Sequence, residues 1–235
     1  AGAVRGRCQA DFDRVNVDGT AAVIRAIRAQ THRPRLLLLS SIVAREPSIS
    51  WYAHSKWQGE QLLEHCVDIE YTVLRPPAVY GPGDKEMLPI FRLMQRGIAV
   101  VPGSPEVRIS LIYVSDLVEA IIACLLCPAA LRQPLSVGDG KPNGYNWHDM
   151  AEIAGQHWSR RVRLVRVPTW LLDAIANLNT RVAGITGNAP MLTPPKVREL
   201  RHSDWVTDNN AITAATGWTP VVGLREGLEQ LKLPP

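Results

Sequence analysis

Four consecutive leucines, Leu36–Leu39, stand between Pro34 and the serine pair Ser40 and Ser41. So short an apolar run, closed on both sides, suits a strand buried on both faces, as in a parallel sheet. Residues 71–74 form a second such run, which ends at Arg75-Pro76-Pro77. Two prolines in succession cannot continue a strand interior, so a shaped loop follows. Phe12, Val15, Val23, Ile24 and Ile27 recur at helical spacing over residues 11–29, with Asn16 and Gly19 inside, and residues 48–66 read as the next helix. Strands alternating with helices define an α/β chain with a parallel sheet, in which ligands bind beyond the carboxyl ends of the strands. Ser41 and the loop 76–79 fall there. Further along, helices are predicted over 85–96, 116–126 (capped by Ser115 or Asp116), 146–157, 170–182 and Leu224–Leu231, with a shorter one from Asn209 to Thr216. Strands are predicted over 108–114 and 134–138. The stretch 184–208 is rich in turn residues, with Trp205 as its anchor.

The helix after the leucine strand carries Trp51-Tyr52-Ala53-His54-Ser55-Lys56. Tyr52 and Lys56 are four apart and share a helix face. A cation beside a phenol favours the phenolate, which lowers the Tyr pKa from about 10 and suits proton exchange with a hydroxyl or carbonyl. With 5 Tyr in the chain the spacing alone is weak evidence; its surroundings have to carry the reading.

Composition excludes several classes. A net charge of +4 with no basic run interleaved with aromatics does not imply nucleic acid. Arg160, Arg161, Arg163 and Arg166 alternate with Val162, Leu164 and Val167, which reads as a strand with a solvated arginine face or as an anion site. Cys124 and Cys127 have a Cys-x-x-Cys spacing, but they lie in an apolar helix with no second Cys or His pair at zinc spacing, so no metal site and no disulfide framework is expected. No apolar run reaches the roughly 18 residues of a membrane span. A reducing cytoplasm suits the cysteine usage. The chain opens on Ala1-Gly2-Ala3-Val4 without a Met, and we expect a fragment.

Taken in order, these pieces resemble the extended short-chain dehydrogenase/reductase superfamily, which includes NAD-dependent epimerase/dehydratases and 3β-hydroxysteroid dehydrogenase-like enzymes. The resemblance runs from Ala1 to about Gln230. The family's Asn, Ser, Tyr and Lys tetrad corresponds to Asn16, Ser41, Tyr52 and Lys56. Its loop Arg-Pro-x-x-Val-Tyr-Gly-Pro-Gly-Asp corresponds to Arg75 through Asp84, and Tyr113-Val114-Ser115-Asp116 to a later strand-to-helix element. Gly217-Trp218-Thr219-Pro220 and Gly223 through Leu228 match its C-terminal pattern. Tyr52-Ala53-His54-Ser55-Lys56 is similar to the Tyr-Pro-His-Ser-Lys form of steroid-dehydrogenase-like members. Three features depart from the family. No Gly-x-x-Gly-x-x-Gly follows a strand, so on the order of 60 residues, two βα units, are expected upstream. The interval between Ser41 and Tyr52 is short. The strand before Val114 lacks the Arg and aromatic common in sugar-nucleotide enzymes.

The resemblance implies an N-terminally truncated, Rossmann-like doubly wound parallel sheet over residues 1–145. A smaller substrate-binding lobe, mainly residues 146–235, would be intermixed with it. It implies NAD or NADP as cofactor, held by Ala3, Ser40, Tyr52, Lys56, Pro76, Pro77, Ala78 and Val79. Tyr52 would be the general acid/base, Lys56 would tune it and hold the ribose, Ser41 would bind the reacting oxygen and Asn16 would serve the proton relay. Ile42, Trp51, His54, Leu88 and Arg108 are candidate substrate contacts. The substrate would be a small molecule: an alcohol or ketone, a sugar nucleotide or a lipophilic hydroxy compound. A homodimer is a candidate assembly. Two function classes stay open, an oxidoreductase or epimerase and a non-catalytic relative that keeps the fold for binding or assembly. The intact tetrad favours the first, and dehydration is the weaker branch because acids near Tyr52 are few.

Overall fold

The computed structural model describes residues 2–128, 132–186, 189–190, 192–231 and 233. Residues 187, 188 and 191 of the turn-rich stretch lie outside the described residues, as does Ala1.

The first helical segment is two helices, α1 (Gln9–Asn16) and α2 (Asp18–Arg28), rather than one over 11–29. The break falls at Asn16, whose polar groups serve other partners. The Thr20 hydroxyl donates to the Asn16 carbonyl at 2.7 Å, and the Asn16 side chain is tied to neighbouring segments. β1 (Leu36–Leu39), α3 (Trp51–Glu64) and β2 (Tyr71–Arg75) follow, with a 3₁₀ turn at Ile42–Arg45. Next come β3 (Ala78–Tyr80), α4 (Leu88–Gln95), β4 (Ile98–Pro102), β5 (Arg108–Ile109) and β6 (Leu111–Tyr113). The single strand expected over 108–114 is therefore two, because Ser110 turns inward. Its hydroxyl accepts from the Thr207 amide at 2.9 Å, and the two halves pair with different partners. The chain continues with α5 (Val114–Leu126), β7 (Pro134–Ser136), α6 (Trp147–His157), β8 (Arg163–Val167) and α7 (Thr169–Thr186). It closes with α8 (Pro194–Arg201), β9 (Asp204–Trp205), α9 (Asn210–Thr216) and α10 (Leu224–Leu231).

Among the described residues every strand-to-strand pairing is parallel, and one isolated antiparallel bridge joins Ile109 to Tyr145. The sheet has order β1-β2-β7, with Leu36 opposite Tyr71 and Leu74 opposite Leu135. Ile24, Ile27 and Leu63 of α2 and α3 pack with Tyr71 and Val73 on one face. Leu117 and Cys124 of α5 and Ile212 of α9 pack with Leu74, Leu135 and Trp218 on the other. Helices on both faces make this a Rossmann-like, doubly wound arrangement. The leucine strand is less buried than its composition suggests. Among the described residues it has one strand neighbour, its side chains are half-buried, and Leu39 is 40% exposed. β4 pairs with β8, so an element before residue 145 and one after it share a small sheet. The arginine stretch is that strand, with Arg163 and Arg166 exposed.

The motif after β2 knits these parts together. Asp84 accepts from the amides of Met87 and Leu88 and starts α4. The Tyr80 hydroxyl donates to the Gly223 carbonyl at 3.2 Å. Asp116 does not cap α5 as expected. The helix begins at Val114, and the buried Asp116 carboxylate accepts from Val221 and Val222 amides at 3.0 and 2.9 Å, anchoring the chain end to the sheet. α10 crosses Tyr80 so closely that a Cβ on Gly227 would lie 2.2 Å from the phenol oxygen. Gly19, inside α2, has nothing within 4 Å of such a Cβ. Gly227→Ala should therefore destabilise the fold by about 1–3 kcal/mol through overpacking. Gly19→Ala should stabilise it by about 0.4–1 kcal/mol by restricting the unfolded chain. Urea unfolding of the two variants should show midpoints displaced in opposite directions.

Candidate active site

α3 begins where Ser50 accepts the Ala53 amide at 3.0 Å, an N-cap that places Tyr52 and Lys56 on one face just past the end of β1. Ser41 is buried at the same place, and its hydroxyl favours the ionised form of the Tyr52 phenol. The Lys56 ammonium lies 5.8 Å from the centre of the Tyr52 ring and donates to the Leu39 carbonyl at 3.0 Å. Asn16 is buried behind them. Its amide nitrogen donates to Ser55 Oγ at 2.8 Å and to the Ala3 carbonyl at 3.0 Å, while its oxygen accepts the Ala3 amide at 2.8 Å. Ser55 in turn donates to the Tyr52 carbonyl at 2.9 Å. Asn16, Ser41, Tyr52, Lys56 and Ala3 thus come together.

The two serines part ways. Ser40 donates to Glu60, which also receives Arg75 through both carboxylate oxygens. Pro76 and Pro77 are buried, and the Pro76 carbonyl accepts the Ile42 amide at 2.9 Å, which ties the exits of β1 and β2 together. Ala78 and Val79 lead from there into β3. Trp51 lines a cleft with Tyr52. His54 instead packs against Trp57 with the two rings tilted, about 200° around the helix from Tyr52, and does not line the cleft. Ile42 packs with Ala53 and Trp205, and Leu88, the first residue of α4, packs against the core around Tyr80 and Phe91. Arg108 is exposed on β5 and reaches the Asn143 carbonyl at 3.1 Å; the structure does not bring it to Tyr52.

Sequence reading misses the far wall of the cleft. Lys196 and Glu199 of α8 line it, with the Lys196 ammonium 5.9 Å from the Tyr52 ring centre. Glu199 is 4% exposed; it receives the Lys196 ammonium at 2.6 Å and the Ser50 hydroxyl. Both lie in the stretch 184–208 that the sequence marks as turn-rich, where the structure forms α8, so only the fold brings the pair to Tyr52.

The electrostatics reverse one expectation. Lys56 does not pull the phenol below its usual range. Tyr52 as a residue is half-buried, but its hydroxyl is packed tightly by protein, and this desolvation pushes its pKa up to about 12. The Ser41 hydroxyl works against the rise and the negative charge of Glu199 adds to it. Burial lowers the Lys56 pKa, and Glu60 opposes that.

Part of a dinucleotide fits these residues. A Cβ on Gly2 would sit 3.2 Å from the Lys56 ammonium and 3.5 Å from Asn16 Oδ1, so the bare glycine keeps the approach to both groups open. Lys56 has three donors, of which Leu39 takes one. That suits the hydroxyls of a nicotinamide ribose. The chain has no Gly-x-x-Gly-x-x-Gly for a pyrophosphate.

A parallel, doubly wound sheet with a Ser–Tyr–Lys group at its carboxyl edge defines the dehydrogenase/reductase class of Rossmann-like proteins. The chain belongs to the NAD dependent epimerase/dehydratase family, whose model matches residues 4–138. It is 33% identical over 227 residues to a ceramide reductase of Caulobacter vibrioides (strain NA1000 / CB15N), covering 97% of this chain and 69% of that protein. It is 28% identical over 191 residues to a UDP-glucose 4-epimerase of Vibrio cholerae, covering 76% of this chain and 52% of that one. Its fold matches RMD from Pseudomonas aeruginosa, solved with NADPH, at a TM-score of 0.72 and 17% identity, over 98% of this chain and 77% of that one.

Glu199 is the one buried negative charge that raises the Tyr52 pKa, so Glu199→Gln should lower it. In alcohol oxidation, which needs the phenolate, the rising limb of the pH–rate profile should move to lower pH. A limb that stays in place would remove Glu199 from the electrostatics of the site.

Proposed function

We propose that this chain carries the catalytic and substrate-binding part of an NAD(P)-dependent oxidoreductase that interconverts a ketone and a secondary alcohol, with lipophilic substrates favoured. The observation that carries this reading is the Lys56 ammonium 5.8 Å from the Tyr52 ring, one helical turn on, with the buried Ser41 at the carboxyl end of β1 acting on the same phenol. A bound nicotinamide would supply or take the hydride. Lys56 would hold its ribose, and Ala3 and the 76–79 loop would line its nicotinamide end.

With a phenol near 12, Tyr52 is protonated at neutral pH and is a proton donor. It would give its proton to the substrate oxygen as negative charge develops there, while the Ser41 hydroxyl donates to the same oxygen. The Lys56 cation would steady the phenolate left behind. Asn16 and Ser55 fix the backbone on which Tyr52 sits, and the buried amide offers a route for returning the proton.

Two observations favour a lipophilic substrate. The relative with 97% of this chain covered is named for a lipid, and Phe12, Trp51, Val4 and Pro195 give the cleft apolar walls. A nucleotide sugar is the second reading. It is supported by Arg5 and Lys196 in the same cleft and by the likeness to a UDP-glucose 4-epimerase.

Tyr52→Phe should lower turnover by about 10²–10⁴-fold with the fold retained, because only the phenol oxygen is lost. Ser41→Ala should cost about 10²–10³-fold. NAD(P)H oxidation, followed with a long-chain ketone and separately with UDP-glucose, measures both effects in the complete natural protein. Circular dichroism controls for folding. Near-wild-type turnover by Tyr52→Phe would remove the catalytic assignment. Turnover of UDP-glucose alone would select the nucleotide-sugar reading.

A further inference from the structure

α7 has two apolar faces and the protein uses one of them. Leu172 and Ala176 are buried against Val197 of α8, with Val167 and Leu192 around them. On the opposite side, Trp170, Leu171, Ala174, Ile175, Leu178 and Val182 fall within an arc of about 140° at 100° per residue. Trp170 is 69% exposed and Leu178 60% exposed, and Ile175 and Val182 are exposed with them. This outward stripe runs through four turns of an 18-residue helix, about 27 Å long.

The segment that carries that stripe is strongly basic. Residues 160–186, which hold β8 and α7, contain five arginines (Arg160, Arg161, Arg163, Arg166 and Arg181) against one carboxylate, Asp173. Their net charge of +4 equals that of the whole chain. All five guanidinium residues are exposed. At the start of α7, Arg166, Thr169 and Arg201 line a cavity of about 380 Å³ next to Trp170 in the chain. Arg201 reaches the Asp173 carboxylate at 3.7 Å.

We propose that the exposed face of α7, with Arg181 on it and the arginines of β8 preceding it in the chain, docks this protein on the surface of an anionic phospholipid bilayer. The helix would lie in the plane of the interface with Trp170, Leu178 and Val182 among the upper acyl carbons and the arginines among the headgroup phosphates. Trp at one end and Arg181 near the other suit that depth, since each joins an apolar body to a polar tip. Among the described residues no helix is long and apolar enough to cross a membrane, which fits a helix that lies on a bilayer. Charge complementarity selects the occupant. A second copy packed face to face would set arginines against arginines, whereas an anionic surface neutralises them. The inference goes beyond the proposed reaction and does not depend on Tyr52.

Vesicle flotation tests this without turnover and leaves aggregated protein at the bottom of the gradient. The chain should float with phosphatidylcholine vesicles containing phosphatidylglycerol, and far less with phosphatidylcholine alone or in high salt. Leu178→Asp should abolish flotation. Arg163→Glu with Arg166→Glu should lower the partition coefficient roughly fivefold or more per site. Each substituted side chain is exposed, so circular dichroism should be unchanged. Absence of flotation with anionic vesicles, or flotation of Leu178→Asp equal to wild type, would overturn the proposal. So would a dimer seen by sedimentation velocity that Leu178→Asp dissociates while neither protein floats; that result would assign the face to a second copy.

Discussion

The buried carboxylate of Glu60 is the constraint on which the site rests. At 4% exposure it would be untenable alone, and its oxygens are taken by the Arg75 guanidinium and the Ser40 hydroxyl. Those three residues come from three elements: the exit of β1, the middle of α3 and the end of β2. One ion pair therefore sets how α3 lies across the strand ends, and with it where Tyr52 and Lys56 stand relative to Ser41. Removing one partner of such a pair typically costs about 3–5 kcal/mol, because the other charge stays buried. Gly59, next to Glu60, serves the same crossing. A Cβ there would meet the Asn16 carbonyl at 3.1 Å, so α1 can approach only a bare backbone.

Much of the fold could be read in advance because it follows from short-range rules. The capping box at Asn146 and Asp149, the left-handed Gly217 that ends α9 and the prolines after β2 act over a few residues, and the elements form where those signals stand. The misreadings share a different cause. Asn16, Ser110 and Asp116 are polar residues whose side chains satisfy backbone groups far away in sequence: Ala3, Thr207, and Val221 with Val222. Each splits or shifts an element for the sake of a partner that no local window contains. The leucine strand illustrates the same limit. Four leucines announce a strand, but its burial depends on which strands flank it.

The site divides along the same line. Ser41, Tyr52 and Lys56 were legible because a strand end and one helical turn suffice to bring them together. Lys196 and Glu199 were not, since they reach Tyr52 only after α8 docks on the start of α3 through Glu199 on Ser50 and Arg198 on the Ile49 carbonyl. Their effect on the chemistry exceeds that of the spacing. Read along the chain, a cation four residues from a phenol points to a lowered pKa. In the folded protein desolvation is the larger influence, and a carboxylate contributed by α8 reinforces it.

That reversal bears on direction. A phenol held near 12 is a poor base at neutral pH and a ready acid, so burial alone biases the site toward protonating an oxygen rather than deprotonating a hydroxyl. The two cations near the ring, Lys56 and Lys196, do not stand equal. Lys196 is matched by Glu199 at 2.6 Å, so its charge is largely spent within the cleft wall. Lys56 bonds a neutral carbonyl and keeps its charge for whatever approaches along the Gly2 side. A ligand there that exposes hydroxyls would meet one uncommitted cation, while the second cation near the ring is already neutralised.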